Sequence, residues 1–264
     1  SPMPFGKVVF LFFILGGQVI ADQLWSVQPL KRPEVPQAGD GWALNPVDRF
    51  IAQKLDGAGI TPEKKATPSV LLRRVYFDVT GLPPAPNEVA VFSKAQDSGY
   101  GQLVDRLLAS PHFGERWATH WLDIARFAES HGFEMDQPRP DAWRYRDFVI
   151  RAFNEDRPYD EFVRLQLAGD HLKRTNPDAW VATGFLVAGV ENLIQTRKEF
   201  ERDRYDKVDD MVSTVGTALL GLTIGCSRCH DHKYDPLSQR DYYHFAAAFG
   251  STVSRVKEFE RGDT

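Results

Sequence analysis

Residues 198–230 read KEFERDRYDKVDDMVSTVGTALLGLTIGCSRCH, and this stretch decides the fold. Apolar side chains recur every three or four residues along it, which predicts one long helix over Lys198 to Leu222. The predicted buried stripe of that helix consists of Tyr205, Val208, Val212, Val215 and Leu219. Small residues follow, and Gly225 leads directly into Cys226. We therefore expect the helix to present the two cysteines in a tight turn.

The segment Cys226-Ser227-Arg228-Cys229-His230 contains the only two cysteines of the chain. Its C-x-x-C-H spacing is the attachment signature of a c-type haem, in which both thiols bind haem vinyl groups and the histidine becomes the proximal iron ligand. We therefore predict haem c as a covalent cofactor held by Cys226, Cys229 and His230.

Two alternatives use the same cysteines. With His230 and His232 they supply four ligands suited to zinc, although structural zinc sites usually join two separated ligand pairs. Alone, they can act as a redox dithiol. If haem is bound, His232 lies too close in sequence to reach the opposite face of the iron. A hydrogen-bonding or propionate role then suits it better than metal ligation.

The N-terminus has the layout of a secretory signal peptide over residues 1–21. Lys7 precedes an apolar run at residues 8–15, and small residues lead to Ala21. The run is shorter than the roughly 20 residues that a spanning helix needs, so we expect cleavage and no spanning segment afterwards; an uncleaved anchor is the alternative. This predicts a periplasmic or extracellular protein, which suits covalent haem attachment.

The rest of the chain indicates an all-α fold, an irregular multi-helix domain with long loops. Helical spacing and start signals recur from Asn45 to the last helix near Phe245, and no stretch shows a convincing strand alternation. Residues 22–45 are predicted to form an extended proline-rich arm, and residues 46–264 the helical domain. The net charge of −4 is small and the basic residues are scattered, so we expect no nucleic-acid partner.

Ser110-Pro111 is a helix start, and the helix that it begins has two different faces. Trp117, Trp121, Ile124 and Ala128 form the predicted apolar stripe. The adjacent face carries Arg116, His120, Asp123 and Phe127, and Arg126 follows. We favour a structural ion network here over the wall of a site. The residues of the possible pocket are His120, Asp123, Arg126, Met135 and Asp136.

The polar loop at residues 129–140 contains His131 and Met135, the two side-chain types that most often supply the second axial ligand of a c-type haem. His131 is the preferred candidate for the distal ligand. Alternatively, His131 caps the preceding helix and Met135 fills a gap under the loop. An iron without a distal ligand is a third possibility.

Two further charged groups are candidates. Arg144, Arg146 and Arg151 interleave with aromatic residues and can bind haem propionates or a carboxylate substrate, although solvated or locally paired arginines are more common. Asp206 and Asp210 share one side of the long helix and can belong to a polar site.

Several motifs together resemble the Planctomycete-type cytochrome c-like domain of unknown function, the domain of unknown function 1549 family. The resemblance covers about Trp25 to Phe249 and rests on five segments: residues 115–123, 139–147, 158–160, 166–170 and 225–236. It implies an extracytoplasmic protein with a further C-terminal domain, and the chain is expected to be a fragment that ends before that domain.

Two classes of function follow. The first is an extracytoplasmic haem-binding domain with an electron-transfer or haem-redox role and a redox partner protein. The second is a secreted catalytic or binding domain that acts on an extracellular polymer such as a polysaccharide, where the cysteine motif holds zinc or serves structure. In the second class His120, Asp123, Arg126, His131 and Asp136 surround a pocket. The sequence leaves open whether the protein is an enzyme.

Overall fold

The computed structural model describes residues 28–95, 99–173, 175–194 and 196–254. These ranges contain helices and no strand, which confirms the predicted all-α fold. None of the helices described is long and apolar enough to cross a membrane. The predicted signal peptide at residues 1–21 lies outside the described residues.

The chain divides into two compact units, residues 1–70 and 71–264. In the first unit, residues 28–45 contain neither helix nor strand and lead to helix α1 (Pro46–Gly57). Asn45 caps α1 by accepting a hydrogen bond from the backbone N–H of Asp48, and Asp48 accepts one in return. Gly39 has a φ of +79°, and a Cβ there would lie 2.7 Å from Ala52 Cβ, so the turn before α1 needs glycine.

Helices α2–α11 follow, and α2 begins in the last residues of the first unit. They are α2 (Pro68–Thr80), α3 (Pro86–Ala95), α4 (Tyr100–Leu108), α5 (Pro111–Ile124), α6 (Ala142–Asn154), α7 (Tyr159–Leu172), α8 (Pro177–Ala182), α9 (Gly184–Val187), α10 (Phe200–Val215) and α11 (Gln239–Phe249).

Among the residues described here, three apolar clusters hold the second unit together. One lies among α2, α3 and α4 and includes Leu72 and Leu107. The largest joins α5 to α10 and contains Phe148 and Phe185. At the centre of this largest cluster, the buried side chains of Trp121, Tyr145 and Gln166 form hydrogen bonds with one another. Gln166 Oε1 accepts hydrogen bonds from Trp121 Nε1 at 2.8 Å and from the Tyr145 hydroxyl at 2.6 Å. The third cluster joins α10 to α11.

The predicted apolar stripe of α5 is wrong in part. Trp117, Ile124 and Ala128 are exposed, whereas the buried face carries Gly114, Ala118 and Trp121. The reason is the close approach of α6, because a Cβ at Gly114 would lie 2.5 Å from a backbone oxygen of that helix. Small residues allow two helix axes to come this close, and a bulky stripe does not.

The predicted long helix is also modified. α10 ends at Val215, a π-helical turn follows at Gly216–Leu220, and Gly221 reverses the chain with a φ of +65°. A 3-10 helix (Ile224–Arg228) then carries the first cysteine. Tyr205 is 57% exposed, so its predicted place in the buried stripe is wrong. Tyr205 instead lines an open cleft between α10 and α11.

Candidate functional site

The cysteine turn, residues 224–230, is fixed to α10 by close packing. Ile224 is buried in the cluster between α10 and α11. Gly225 approaches α10 so closely that a Cβ there would clash with Ser213 Oγ. Ser227 is fully buried. Because Ser227 points inward, Cys226 and Cys229 on either side of it face solvent as free thiols.

Arg228 holds the turn through charged contacts with α10. Its Nη1 and Nη2 donate hydrogen bonds to Asp209 at 2.8 Å and to Asp206 at 2.9 Å. The hydrogen bond to Asp206 is the largest cause of a raised Arg228 pKa. The Arg228 carbonyl accepts hydrogen bonds from Gln239 and Tyr243 of α11. The backbone of the turn is therefore held from both helices.

His230 is exposed, and its ring is oriented by the main chain. Nδ1 lies 2.8 Å from the carbonyl oxygen of Asp231, which places the proton on Nδ1. Nε2 then carries the lone pair that a metal can bind. Histidines that bind a metal through Nε2 are commonly oriented in this way by a hydrogen bond at Nδ1.

His232 has both ring nitrogens occupied. Nδ1 accepts a hydrogen bond from the backbone N–H of Asp235 at 2.9 Å, so Nε2 carries the proton and donates to Thr223 Oγ1 at the same distance. Its side chain is only 6% exposed. His232 thus connects Thr223 to the loop before α11, in the hydrogen-bonding role that the sequence favours. Among the described residues, no group of three or more His, Cys, Asp and Glu side chains can hold a metal ion.

A second group of polar side chains, the Arg126 cluster, consists of Arg126, His131, Arg139, Glu191, Lys207 and Asp210. Arg126 follows α5 with a φ of +58°, and its N–H and that of Phe127 bond to Asp123 and Leu122. This is a Schellman helix end, in which glycine normally takes the left-handed position. The chain accepts an unfavourable backbone conformation where it places this guanidinium.

Arg126 pairs with Asp210 of α10, with Nη2 2.5 Å from Oδ2. Burial raises the pKa of Asp210, although Arg126 opposes the shift. Gly189 is packed against this pair. A Cβ on Gly189 would lie 2.7 Å from Arg126 Nη2 and would clash with Asp210 Oδ2, so a larger residue there would displace these two side chains. Nε and Nη1 of Arg126 are buried and have no hydrogen-bond partner among the described residues.

Arg139 connects the loop after α5 to the segment after α9. Its guanidinium donates to the carbonyls of Ala188 at 2.9 Å and Gly189 at 2.7 Å, and its Nε donates to His131 Nδ1 at 3.2 Å. Burial lowers the Arg139 pKa. Glu191 lies 3.4 Å from His131 Nδ1 and 2.6 Å from Lys207 Nζ. His131 is therefore engaged by this cluster, and the described contacts do not bring it to the cysteine turn.

Cavities in the described part of the chain border both groups. The α9–α10 cavity has a volume of about 310 Å³ and includes Gly189, Glu191, Lys207 and Asp210 in its wall. The α10–α11 cleft has a volume of about 680 Å³ and is lined by arginine and aromatic side chains, namely Arg202, Arg204, Arg228, Tyr205, Tyr242 and Tyr243.

The other predicted pocket residues are scattered. His120 and Asp123 are exposed on α5, and neither lines either cavity. Met135 is 45% exposed. Asp136 accepts a hydrogen bond from the Gly132 N–H, and its pKa is lowered, first by a hydrogen bond from Ser130. These contacts show that Asp136 stabilises the turn at residues 130–136.

The candidate propionate-binding arginines all have acidic partners, which are local in sequence for Arg144 and include the neighbouring Asp147 for Arg146, whereas the partner of Arg151 lies on α8. Arg144 pairs with Asp141, Arg146 with Glu129 and Asp147, and Arg151 with Asp178.

Sequence reasoning missed Arg139, Glu191, Lys207 and Gly189 as members of a polar site. Arg139 begins one of the segments that carry the family resemblance, which says nothing about its contacts. Available signals were the pair Arg139-Pro140 and the glycine at 189, but neither shows that distant segments meet. Asp206 and Asp210, which the sequence places on one side of the long helix, have different partners, because Asp206 pairs with Arg228 and Asp210 pairs with Arg126.

The fold and the turn define a mainly α-helical domain that exposes a C-x-x-C-H motif on a 3-10 turn. Residues 46–254 match PSCyt2, described as a protein of unknown function (DUF1549), and the chain belongs to this family. The predicted family is thereby confirmed, whereas its cytochrome-like character and its C-terminal partner domain stay predictions. Neither the curated proteins nor the solved structures contain a match to this chain.

Proposed function

We propose that the domain binds haem c covalently and has an electron-transfer or haem-redox role outside the cytoplasm. Cys226 and Cys229 are the attachment points, and His230 is the proximal ligand. The observation that carries the proposal is the state of the turn: two exposed free thiols followed by a histidine whose Nδ1 bonds a carbonyl and whose Nε2 is available. The predicted signal peptide supports the location, since it would export the chain.

The residues present fit this chemistry. Each thiol would add across a haem vinyl group, forming a carbon–sulfur bond while its proton goes to the other vinyl carbon, so attachment needs no oxidant. The bound group would supply reversible one-electron chemistry at iron. Arg202 and Arg204 line the cleft next to Arg228, but they already pair with Asp206 and Glu201, so propionates would have to share or displace these contacts.

The proposal assigns no distal ligand. Nδ1 of His131 accepts a hydrogen bond from Arg139, and Met135 lies on an exposed loop. A domain with one protein ligand on the iron leaves the other face open to a small molecule or to a partner.

The geometry favours haem over zinc at this turn. A four-ligand zinc site would need His232, and both nitrogens of His232 are already bonded within the loop. The polymer-acting alternative has less support, because His120, Asp123 and Asp136 do not gather around either cavity.

The test is expression with the signal peptide in a host that carries out cytochrome c maturation, followed by acid–acetone extraction and a pyridine haemochrome spectrum. We expect haem that resists extraction. His230→Ala should change the spectrum of the native protein, whereas His171→Ala, which alters an exposed histidine on α7, should leave it unchanged. Exported protein with no covalent haem and with stoichiometric zinc would contradict the proposal.

A further inference from the structure

Two loops of the second unit lie side by side and present apolar side chains to solvent. The first loop spans residues 130–138, and the second spans residues 187–194. They are joined where the Glu191 N–H donates to the His131 carbonyl at 3.0 Å. Six large apolar residues of these loops, each 39–61% exposed, form what we call the loop face: Phe133, Met135, Val187, Val190, Leu193 and Ile194.

The first loop is fixed by its own hydrogen bonds. Residues 130 and 138 form an antiparallel bridge, and the His131 N–H donates to the Gln137 carbonyl at 3.0 Å. Phe133 and Met135 lie at the tip that these contacts close. A partner would therefore meet a preformed apolar tip, which lowers the entropy cost of binding.

The Arg126 cluster fixes the second loop. Arg139 donates to the carbonyls of Ala188 and Gly189, and Arg126 packs against Gly189 from its other partner, Asp210. Buried ion pairs add little stability, but they can hold a chain in one arrangement. The cluster thus gives the loop face a rigid base.

The α9–α10 cavity opens on the same surface. Val187 and Val190 of the loop face line it, and so do Phe200 and Val253, which are 56% and 64% exposed. Its volume is about 310 Å³, and a cavity of about 150 Å³ already holds a benzene ring. A phenylalanine side chain therefore fits.

The charged side chains in the wall of this cavity are already paired. Arg204 pairs with Glu201, Lys207 with Glu191, and Asp210 with Arg126. The apolar part of the wall is what remains for an occupant.

The apolar tip and the apolar cavity are close neighbours. A Cβ on Gly132, the residue before Phe133, would lie 3.5 Å from Val190 Cγ2 in the cavity wall. A surface that carries both a knob and a recess can bind a second copy of itself about a two-fold axis, since each knob then meets the other recess.

The exposed area suits a dimer. With Phe200 and Val253, the loop face exposes roughly 700 Å², when the exposed fractions are applied to the areas of free side chains. The largest apolar patch of a typical monomer is about 300–600 Å². Two copies of this surface would bury roughly 1,400 Å², within the range of about 1,200–2,000 Å² for stable interfaces.

A lipid surface suits the loop face less well. Glu134 lies between Phe133 and Met135, so a tip that entered a bilayer would carry a carboxylate with it. A second copy is easier to accommodate, because exposed Arg197 and Lys198 beyond the second loop supply the opposite charge.

We propose that the loop face joins two copies of this chain in a two-fold symmetric dimer. Phe133 and Met135 of each copy enter the α9–α10 cavity of the other. This interface is separate from the cysteine turn and does not depend on haem attachment.

Sedimentation velocity of the exported full chain over a range of concentrations tests the proposal. Interfaces of this size have dissociation constants that are micromolar or tighter, so we expect the wild type to be mainly dimeric at about 100 μM.

Two variants locate the interface. Phe133→Lys changes the tip, and Phe200→Asp changes the cavity wall at the first residue of α10, where an acidic side chain suits the helix. Each change occurs twice in the dimer, and each should weaken dimerisation at least about tenfold. Tyr159→Asp is the matched control, because Tyr159 is the first residue of α7 and is 62% exposed. It should leave dimerisation unchanged.

A mixture of the two variants tests the reciprocal geometry. A Phe133→Lys chain paired with a Phe200→Asp chain has one unaltered tip in an unaltered cavity and places the new lysine opposite the new aspartate. The mixture should therefore dimerise more tightly than either variant alone.

A wild type that sediments as a monomer at about 100 μM overturns the proposal, including the case in which that monomer binds lipid vesicles or a different protein. Dimerisation that survives both Phe133→Lys and Phe200→Asp, or that Tyr159→Asp weakens equally, also overturns it. A mixture that dimerises no better than its components rules out the reciprocal contact.

Discussion

Two left-handed residues at helix ends allow the contribution of the Arg126 side chain to be isolated. Arg126 after α5 and Asp156 after α6 have φ angles of +58° and +48° and the same pair of Schellman hydrogen bonds. Glycine relieves the left-handed conformation at either position. Asp156 is exposed and makes no ion pair among the described residues, whereas Arg126 pairs with Asp210.

The two glycine substitutions should change the free energy of unfolding in opposite directions. The left-handed conformation costs roughly 1–2 kcal/mol, and the flexibility of glycine returns about half of this, so Asp156→Gly should stabilise by about 0.5–1 kcal/mol. Breaking a buried ion pair costs about 3–5 kcal/mol, which we reduce to about 2–3 because the Asp210 side chain is 37% exposed. Arg126→Gly should therefore destabilise by about 1–2 kcal/mol overall.

The assay is urea unfolding at pH 7 with linear extrapolation for the wild-type chain and both variants. If Arg126→Gly stabilises the protein as much as Asp156→Gly does, the Arg126–Asp210 pair contributes nothing and the reasoning fails.

The pH dependence provides a second check. Burial raises the pKa of folded Asp210, so its contribution to stability is fully present below the unfolded pKa of about 3.9 and is lost as pH rises through the folded value. Arg126 limits that loss by lowering the Asp210 pKa. The destabilisation caused by Arg126→Gly should shrink near pH 4 and increase toward neutral pH. A penalty that is constant with pH would contradict the role of the Asp210 charge.

Two further substitutions test the packing that supports these sites. Gly225→Ala should destabilise the chain by about 0.5–1.5 kcal/mol, because its Cβ forces the Ser213 hydroxyl out of its present rotamer, and Ser213→Ala in the same chain should recover most of the loss. Thermal unfolding without such rescue would show that the contact is misassigned. Gln166→Leu removes the acceptor of the Tyr145 hydroxyl, whereas the Trp121 N–H keeps the Tyr145 oxygen as an acceptor at 3.1 Å. The variant should lose roughly 1–3 kcal/mol in urea unfolding, and a change below about 0.5 kcal/mol would refute the buried network.

The helices were predictable because their local signals are strong. Ser110 and Pro111 start α5 as expected, and Asn45 caps α1. The burial of individual side chains was less predictable. Trp117 is exposed because Gly114 allows α6 to approach the other face, and helical periodicity cannot show which face a partner helix will choose.

The cysteine turn and the Arg126 cluster also differ in how far the sequence predicts them. Cys226, Cys229 and His230 are consecutive enough that spacing alone identifies their chemistry. The Arg126 cluster is assembled from residues 126, 131, 139, 191, 207 and 210, which meet only in the folded chain. Sequence spacing carries no information on such contacts. They follow from the folded structure, in which Gly189 packs against Arg126 and Asp210.

Covalent haem is the central claim, and mass spectrometry of the exported chain under denaturing conditions tests it most directly. We predict one haem per chain in the wild type and none in the Cys226→Ser, Cys229→Ser double variant. An exported wild-type chain without added haem mass, in which both thiols react with an alkylating reagent, would contradict the account.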